Sequence, residues 1–327
     1  MTPDEAHRIA LDHMLALIAG SGVGAGLVLR GSMTLQAWVG ELARPPGDLD
    51  WIVPKPAETT FPDPLHPFPY VDDIAAVQQW PEATDGAARY RMWADEEFAT
   101  FGFRPMLPPE GLRWMRSEEF TPISLYDAVV EAIRDEPHTA GGVWLSAYGV
   151  DPDEQWTYDY KVSYDTPGER LTVPWYTDDP KVSGKIQLDF ASDETLPDAP
   201  VWTAVPRADG GPPTPVVTAS RELSLAWKLL WLHLDATDTG QAAGKDLYDA
   251  VLLAESPQTH LTPRLLRKVL GTHRHGFGPD AIRHWQVDWT EFRRGHPQVH
   301  GEMDHWLDRL ARALPIPHGR EPLEADG

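Results

Sequence analysis

The sequence predicts a mixed α+β fold: a small mixed sheet with flanking helices, followed by a helical C-terminal region. Three observations lead there. Strand-like runs lie between residues 26 and 190, the clearest being Lys185 to Phe190, where Ile186, Leu188 and Phe190 alternate with Lys185, Gln187 and Asp189. From Ser220 onward the apolar residues recur at helical spacing. No internal repeat is found. The division that follows is residues 1–215 as a mixed domain carrying a Pro/aromatic-rich insertion at about 54–110, 216–314 as a helical domain, and 315–327 as a disordered tail.

Taken in order, Pro3 to Gly20 reads as an amphipathic helix, with Ala6, Ile9, Ala10, His13, Met14 and Leu17 at helical spacing and Asp4 and Glu5 in its first turn. Gly20, Gly22 and Gly24 end it. Gly26 to Arg30 is a short strand running into a Gly31-Ser32 turn, and Met33 to Trp38 starts a second helix. Asp48 to Val53 is the next strand. FPDPLHPFPY (Phe61 to Tyr70) favours extended or turn backbone, and its aromatics suit an insertion packed on the core better than a solvated linker. Ser124 to Asp135 reads as a helix with Leu125, Ala128, Val129 and Ile133 on its apolar face. Strands are expected at Trp156 to Tyr164, Arg170 to Trp175 and Lys185 to Phe190, and loop at Asp193 to Pro215. Helices are expected at Ser220 to Leu234, Lys245 to Glu255, Pro263 to Leu270, Asp280 to Trp285 and Gly301 to Leu314.

Composition narrows the function. The 327 residues include no cysteine, which excludes disulfides, thiolate metal sites and a cysteine nucleophile. The longest uncharged run, Met14 to Leu29, holds four glycines and is too short to span a bilayer. With acidic Asp4 and Glu5 where a signal peptide carries positive charge, a soluble cytoplasmic protein is the expectation. A formal charge of −22 argues against non-specific binding of DNA or RNA. The segment Thr262 to Arg312, however, has nine Lys/Arg against six Asp/Glu, so it is +3 while the remainder is −25. That leaves either a local basic surface or the ordinary arginines of a helical bundle.

Asp48 and Asp50 flank Leu49, and strand alternation puts both carboxylates on one face. Side by side they repel, and protons or divalent cations relieve the repulsion. Upstream, a strand, a tight Gly31-Ser32 turn and a helix start together present backbone N–H groups to an anion. Asp189, on the polar face of a later strand, could add a third carboxylate for Mg²⁺, or could simply face solvent. Asp-x-Asp is weak by itself, since Asp151 and Asp153 repeat it in a stretch read as loop. Lys228 is one of only seven lysines and lies in LSLAWKLLWLHL, on a narrow polar stripe with Arg221, Ser224 and Asp235. It suits phosphate contact or the solvent edge of a core helix. In GKDLYDAVLL, Asp246 and Asp249 share a helical face after Lys245, as part of a site or as a helix start favoured by its dipole. His273, His275, His284, His296, His300 and His305 match no zinc spacing. No nucleophile elbow, P-loop or dinucleotide fingerprint is found.

In order and spacing, LRGSMTL, ARPPGDLDW, GKIQLDF, LAWKLL and GKDLYDAVLL resemble the AbiEii/AbiGii toxin family of nucleotidyltransferases, within the DNA polymerase beta-like superfamily. The matched segments run from Leu29 to Leu253, and the resemblance implies a nucleotidyltransferase-type sheet. It implies that Gly31 and Ser32 hold the nucleoside triphosphate and that Arg44 is the arginine four residues before the first aspartate. Asp48, Asp50 and Asp189 would hold metal, with two Mg²⁺ ions expected, and Asp189 would be best placed to take the acceptor hydroxyl's proton. Lys228 would contact the nucleotide phosphates, and Lys245, Asp246 and Asp249 would form the Arg/Lys-Asp-x-x-Asp segment, Asp246 being favoured for the site. Pro46 departs from the usual Ser or Thr two residues before the first aspartate. The implied activity is transfer of a nucleotide from a nucleoside triphosphate with release of pyrophosphate, in a toxin–antitoxin or phage-defence setting. tRNA is the first candidate acceptor and a separately encoded antitoxin the implied partner. A protein or small-molecule acceptor, or a degenerate binding module, are the competing readings.

Overall fold

The computed structural model describes residues 1–53, 59–62, 112–115, 124–153, 168–192, 194 and 196–314. The expected strand at 156–164 and the expected disordered tail at 315–327 lie outside these residues, as does most of the 54–110 insertion. The chain forms two compact units, Met1–Val53 with Leu125–Gly327, and Pro54–Ser124. In the second unit, β3 (Thr59–Pro62) pairs antiparallel with β4 (Leu112–Met115).

The first unit opens with α1 (Pro3–Gly20), started by a capping box in which Thr2 accepts from the Glu5 backbone and Glu5 reaches back to Thr2. The expected strand at Gly26 to Arg30 contracts to β1 (Val28–Arg30), because Gly24–Gly26 winds into a 3-10 turn. A second 3-10 turn, Ser32–Thr34, leads into α2 (Leu35–Val39). β2 (Leu49–Val53), α3 (Leu125–Asp135), β7 (Gly168–Thr177) and β8 (Ser183–Ser192) stand where the pattern puts them. Between α3 and β7 come β5 (Val143–Leu145) and the two-residue β6 (Asp151–Pro152), so Asp151 is in a strand and not a loop.

The expected loop at Asp193 to Pro215 is overturned. It contains β9 (Val201–Val205), and the chain turns back through β10 (Thr214–Thr218), which pairs with β9 and lies parallel to β1. Five-residue strands, one of them with Pro215 inside it, carry too little local signal, and pairing across the sheet supplies the rest. Among the described residues the sheet has eight strands, with path β5-β7-β8-β2-β1-β10-β9 and β6 paired to β7. β2 runs parallel to β8 and antiparallel to β1, and β7 and β8 form a long antiparallel pair.

The helices that follow are α4 (Arg221–Leu234, capped by Ser220), α5 (Gly244–Glu255), α6 (Pro263–Leu270), α7 (Pro279–Ile282), α8 (Trp289–Gly295) and α9 (Met303–Ala313). A π-helical turn, Asp235–Thr239, extends α4. α8 was not legible, and α7 is shorter than expected.

The two sheet faces have different partners. Leu29, Leu49, Trp51, Leu171, Leu188 and Phe190 join the core with α1 and α3. Val28 and Ile52, offset by one residue, pack instead with Leu223 and Trp227 of α4. Because side chains alternate along a strand, Arg30, Asp50, Arg170 and Asp189 belong to the α4 face. A third apolar cluster joins α4, α5, α6 and α9 with Leu35 and Trp38 of α2.

Candidate active site

Strand register brings charged residues into one row. Arg30 on β1 is opposite Asp50 on β2, Asp50 is opposite Asp189 on β8, and Asp189 is opposite Arg170 on β7. Asp48, one residue before β2, joins the two central carboxylates, and one oxygen from each of the three lies within 4.8 Å of the others. Only this group of three or more metal-capable side chains is found among the described residues. Asp189 is 5% exposed, so the reading of it as part of a solvated strand face is set aside.

The Gly31 turn closes one side of this group. Gly31 has φ +78°, a conformation that favours glycine, and a Cβ built there would come 2.1 Å from Asp50 Oδ2. The Thr34 hydroxyl donates to the Gly31 carbonyl at 2.9 Å, which fixes the turn, and Ser32 is buried. The pKa of Asp50 is pushed up to about 7. Withdrawal of its carboxyl from water contributes most, and the Asp48 and Asp189 charges add to it against Arg30 and Lys228.

Both flanking arginines are engaged. Arg170 grips Asp189 with Nε to Oδ1 at 2.8 Å and Nη2 to Oδ2 at 2.9 Å, and Gln187 Nε2 donates to Oδ2 at 3.0 Å. Arg30 pairs with Glu194 at 2.6 Å, and its guanidinium carbon lies 5.7 Å from the Trp227 ring centroid and 5.8 Å from that of Trp231. Sequence reasoning missed Arg170, Arg30 and Gln187. The signal available for Gln187 was its place two residues from Asp189 on one strand face, and the arginines could be found only once strand order was known.

A second charged group lies beside the first. Lys228 of α4 donates to Asp246 Oδ1 at 2.5 Å and is 3.2 Å from Asp249 Oδ2, both on α5. Arg44, in the segment between α2 and β2, donates to both oxygens of Asp249 at 3.0–3.2 Å. Lys228 is buried, which removes the solvent-edge reading, and Asp249 has no exposed surface. Burial works against the Lys228 ammonium, but Asp246 and Asp249 more than offset it and hold its pKa above the ordinary value. Burial likewise works against charged Asp246, and Lys228 and Lys245 reverse that, so its carboxyl stays below the usual range. The two groups sense each other, since Lys228 acts on Asp50 and Asp48 acts on Arg44. Lys245 is exposed and makes no ion pair among the described residues.

The donor set of the first group suits a hard divalent cation. It offers carboxylate oxygens from three residues and no imidazole, the ligand type Mg²⁺ accepts. The lack of a side chain at Gly31 is what lets the Asp50 carboxylate lie against the turn.

A family model described as nucleotidyl transferase AbiEii toxin, type IV TA system, matches residues 126–314, more than half of the chain. Similar solved structures include the MenT4 nucleotidyltransferase toxin from Mycobacterium tuberculosis H37Rv, at 14% identity and a TM-score of 0.47, covering 94% of this chain and 82% of that one. The crystal structure of JHP933 from Helicobacter pylori is similar at 13% identity and a TM-score of 0.46, covering 96% of this chain and 91% of that one. No curated protein matches the sequence at a significant level.

Proposed function

The chain belongs to the AbiEii nucleotidyl transferase toxin family of type IV toxin–antitoxin systems, and from that premise we propose a metal-dependent transfer centred on Asp48, Asp50 and Asp189. The observation that carries this reading is the gathering of those carboxylates to within 4.8 Å beside the Gly31 turn, from strands that only the fold brings together. Two Mg²⁺ ions bound there would neutralise charge on the triphosphate and on the leaving pyrophosphate and make the acceptor hydroxyl more acidic. Gly31 and Ser32 present backbone N–H groups toward phosphate at the turn. Asp189 takes the acceptor proton. Lys228, Arg44 and Lys245 supply positive charge toward the nucleotide, with Asp246 and Asp249 setting where Lys228 and Arg44 lie.

tRNA is the first acceptor to test, with a separately encoded antitoxin as partner. Thr262 to Arg312 is +3 in a chain of −22, but Arg283, Arg293, Arg294, Arg309 and Arg312 are paired with carboxylates, so docking of a polyanion there would fall to Arg264, Arg267, Lys268 and Arg274. The overall acidity favours, as a second reading, a protein or small-molecule acceptor. Labelled nucleoside triphosphates with Mg²⁺ and total RNA or lysate separate the two. Label on short RNA supports tRNA and label on protein supports the second reading. Labelling by Asp48→Ala equal to the unaltered chain, or no labelling at all, rules out this site as the seat of transfer. Growth arrest on expression, relieved by Asp50→Ala, tests the toxin role separately.

A further inference from the structure

The carboxylates of the proposed metal group are not held alike. Asp189 has both oxygens engaged by side chains outside the group, Oδ1 by Arg170 Nε, and Oδ2 by Arg170 Nη2 and Gln187 Nε2. These donors come from rigid elements. Arg170 is the register partner of Asp189 on β7, and Gln187 precedes it by two residues on the same face of β8. The fork of a guanidinium matches the two oxygens of a carboxylate and fixes the plane in which they lie, which a point charge does not do. Oδ1 accepts from Arg170 Nε alone and keeps a lone pair, whereas Arg170 Nη2 and Gln187 Nε2 take both of those on Oδ2, and one Asp189 oxygen lies within 4.8 Å of the ligand atoms of Asp48 and Asp50.

We propose that Arg170 is a positioning residue for the transfer reaction, orienting Asp189, with the help of Gln187, so that it completes the metal-holding group with Asp48 and Asp50. This rests on the reading of those carboxylates as the metal-holding group. The competing role for Arg170 is that of a counter-ion, occupying Asp189 whenever metal is absent and repelling metal when it arrives. The two roles differ in sign. If Arg170 competes, removing it tightens metal binding. If it orients, removing it weakens binding, because a carboxylate with free rotation must be ordered when the cation binds. Donors to metal-ligating side chains are commonly worth 10–100-fold in metal affinity or activity.

The test measures Mn²⁺ binding to the full chain without nucleotide, by electron paramagnetic resonance or calorimetry, so that it reads metal and not turnover. Arg170→Met is expected to weaken Mn²⁺ binding by about 10–100-fold. Arg170→Lys should recover only part of this, since one ammonium cannot hold both oxygens in plane, and Gln187→Leu should give a smaller loss. In turnover assays the loss should fall on kcat and on the Mg²⁺ requirement, with KM for the nucleotide little changed. Mn²⁺ binding by folded Arg170→Met equal to or tighter than that of the unaltered chain overturns the proposal. Should Arg170→Met fail to fold, Arg170→Lys decides, and binding equal to the unaltered chain overturns it. Asp50→Asn separates the two levels. If the unaltered chain binds no more Mn²⁺ than Asp50→Asn, the metal reading fails and the proposal with it. If the unaltered chain binds and only Arg170→Met matches it, the positioning role alone fails.

Discussion

Arg44 and Asp249, 205 residues apart in the chain, form an ion pair in which the guanidinium donates to both carboxylate oxygens at 3.0–3.2 Å. Asp249 has no exposed surface and also lies beside Lys228, so it contacts two cations, while Asp246 supplies the second negative charge that balances them. Removing one partner of a buried pair leaves an uncompensated charge, which costs about 3–5 kcal/mol. Asp249→Asn keeps the volume and removes the charge. Its urea midpoint should fall accordingly, with the slope of the transition unchanged. A midpoint equal to that of the unaltered chain would show that water, not Asp249, stabilises these cations.

Lys228 invites a test that separates stability from chemistry. Lys228→Met leaves Asp246 without its 2.5 Å partner and should lower stability markedly. Adding Asp246→Asn removes the stranded charge, so the double variant should regain much of the lost stability, a coupling that a double-mutant cycle reads directly. Transfer activity should stay lost in both if the ammonium acts on the nucleotide. Recovery of kcat/KM in the double variant would reduce Lys228 to a structural role.

Gly31 is constrained twice, by its positive φ and by the Asp50 oxygen that stands where a Cβ would go. Gly31→Ala should cost about 1–2 kcal/mol in backbone strain. The larger effect should be on activity, expected to fall by about 100-fold, as a misplacement of 1 Å can do. Both are read by thermal melting alongside turnover. Full activity in Gly31→Ala would mean that the turn can shift without disturbing Asp50.

Asp50 sets a pH dependence whose sign follows from its raised pKa. With its pKa pushed up to about 7, Asp50 stays protonated in the folded protein to near that pH, whereas the unfolded chain releases the proton near the ordinary value of 3.8. The native state therefore binds more protons between those values, and in metal-free protein this residue's contribution to stability falls as pH rises from about 4 to 7. Asp50→Asn should remove that dependence and raise the Tm at pH 8 by at least about 2–4 °C, the shift that 1 kcal/mol gives in a domain of this size. An unchanged or lowered Tm at pH 8 without metal counts against burial of an ionised carboxylate there.

How far the site could be read before the fold depended on how local its parts are. Gly31, Asp48 and Asp50 fall within one short stretch, where a turn and strand alternation are visible in the residues themselves. Lys228 was conspicuous as a lysine in the most apolar helix, but its burial between Asp246 and Asp249 depends on how α4 and α5 pack. Arg170 and Arg30 had no local mark, because each is an ordinary polar residue of a strand until register sets it beside an aspartate. β9 and β10 were missed for the same reason. Val201 to Val205 and Thr214 to Thr218 are brief, and Pro215 suggested a loop although it pairs with Ala204.

The charged row across β1, β2, β8 and β7 also restricts how this chain can change in length. Inserting or deleting a single residue upstream of Asp50 within β2, or of Asp189 within β8, would turn that carboxylate through to the side of α1 and place an apolar neighbour among the arginines. Such a change removes the site at one stroke, where a point substitution removes one group. Gains and losses of residues in descendants of this sequence should therefore collect between strands, as in Pro54–Ser124, which already separates β2 from α3. The distances from Arg30 to Gly31 and from Asp48 to Val53, counted in residues, should be passed on unaltered.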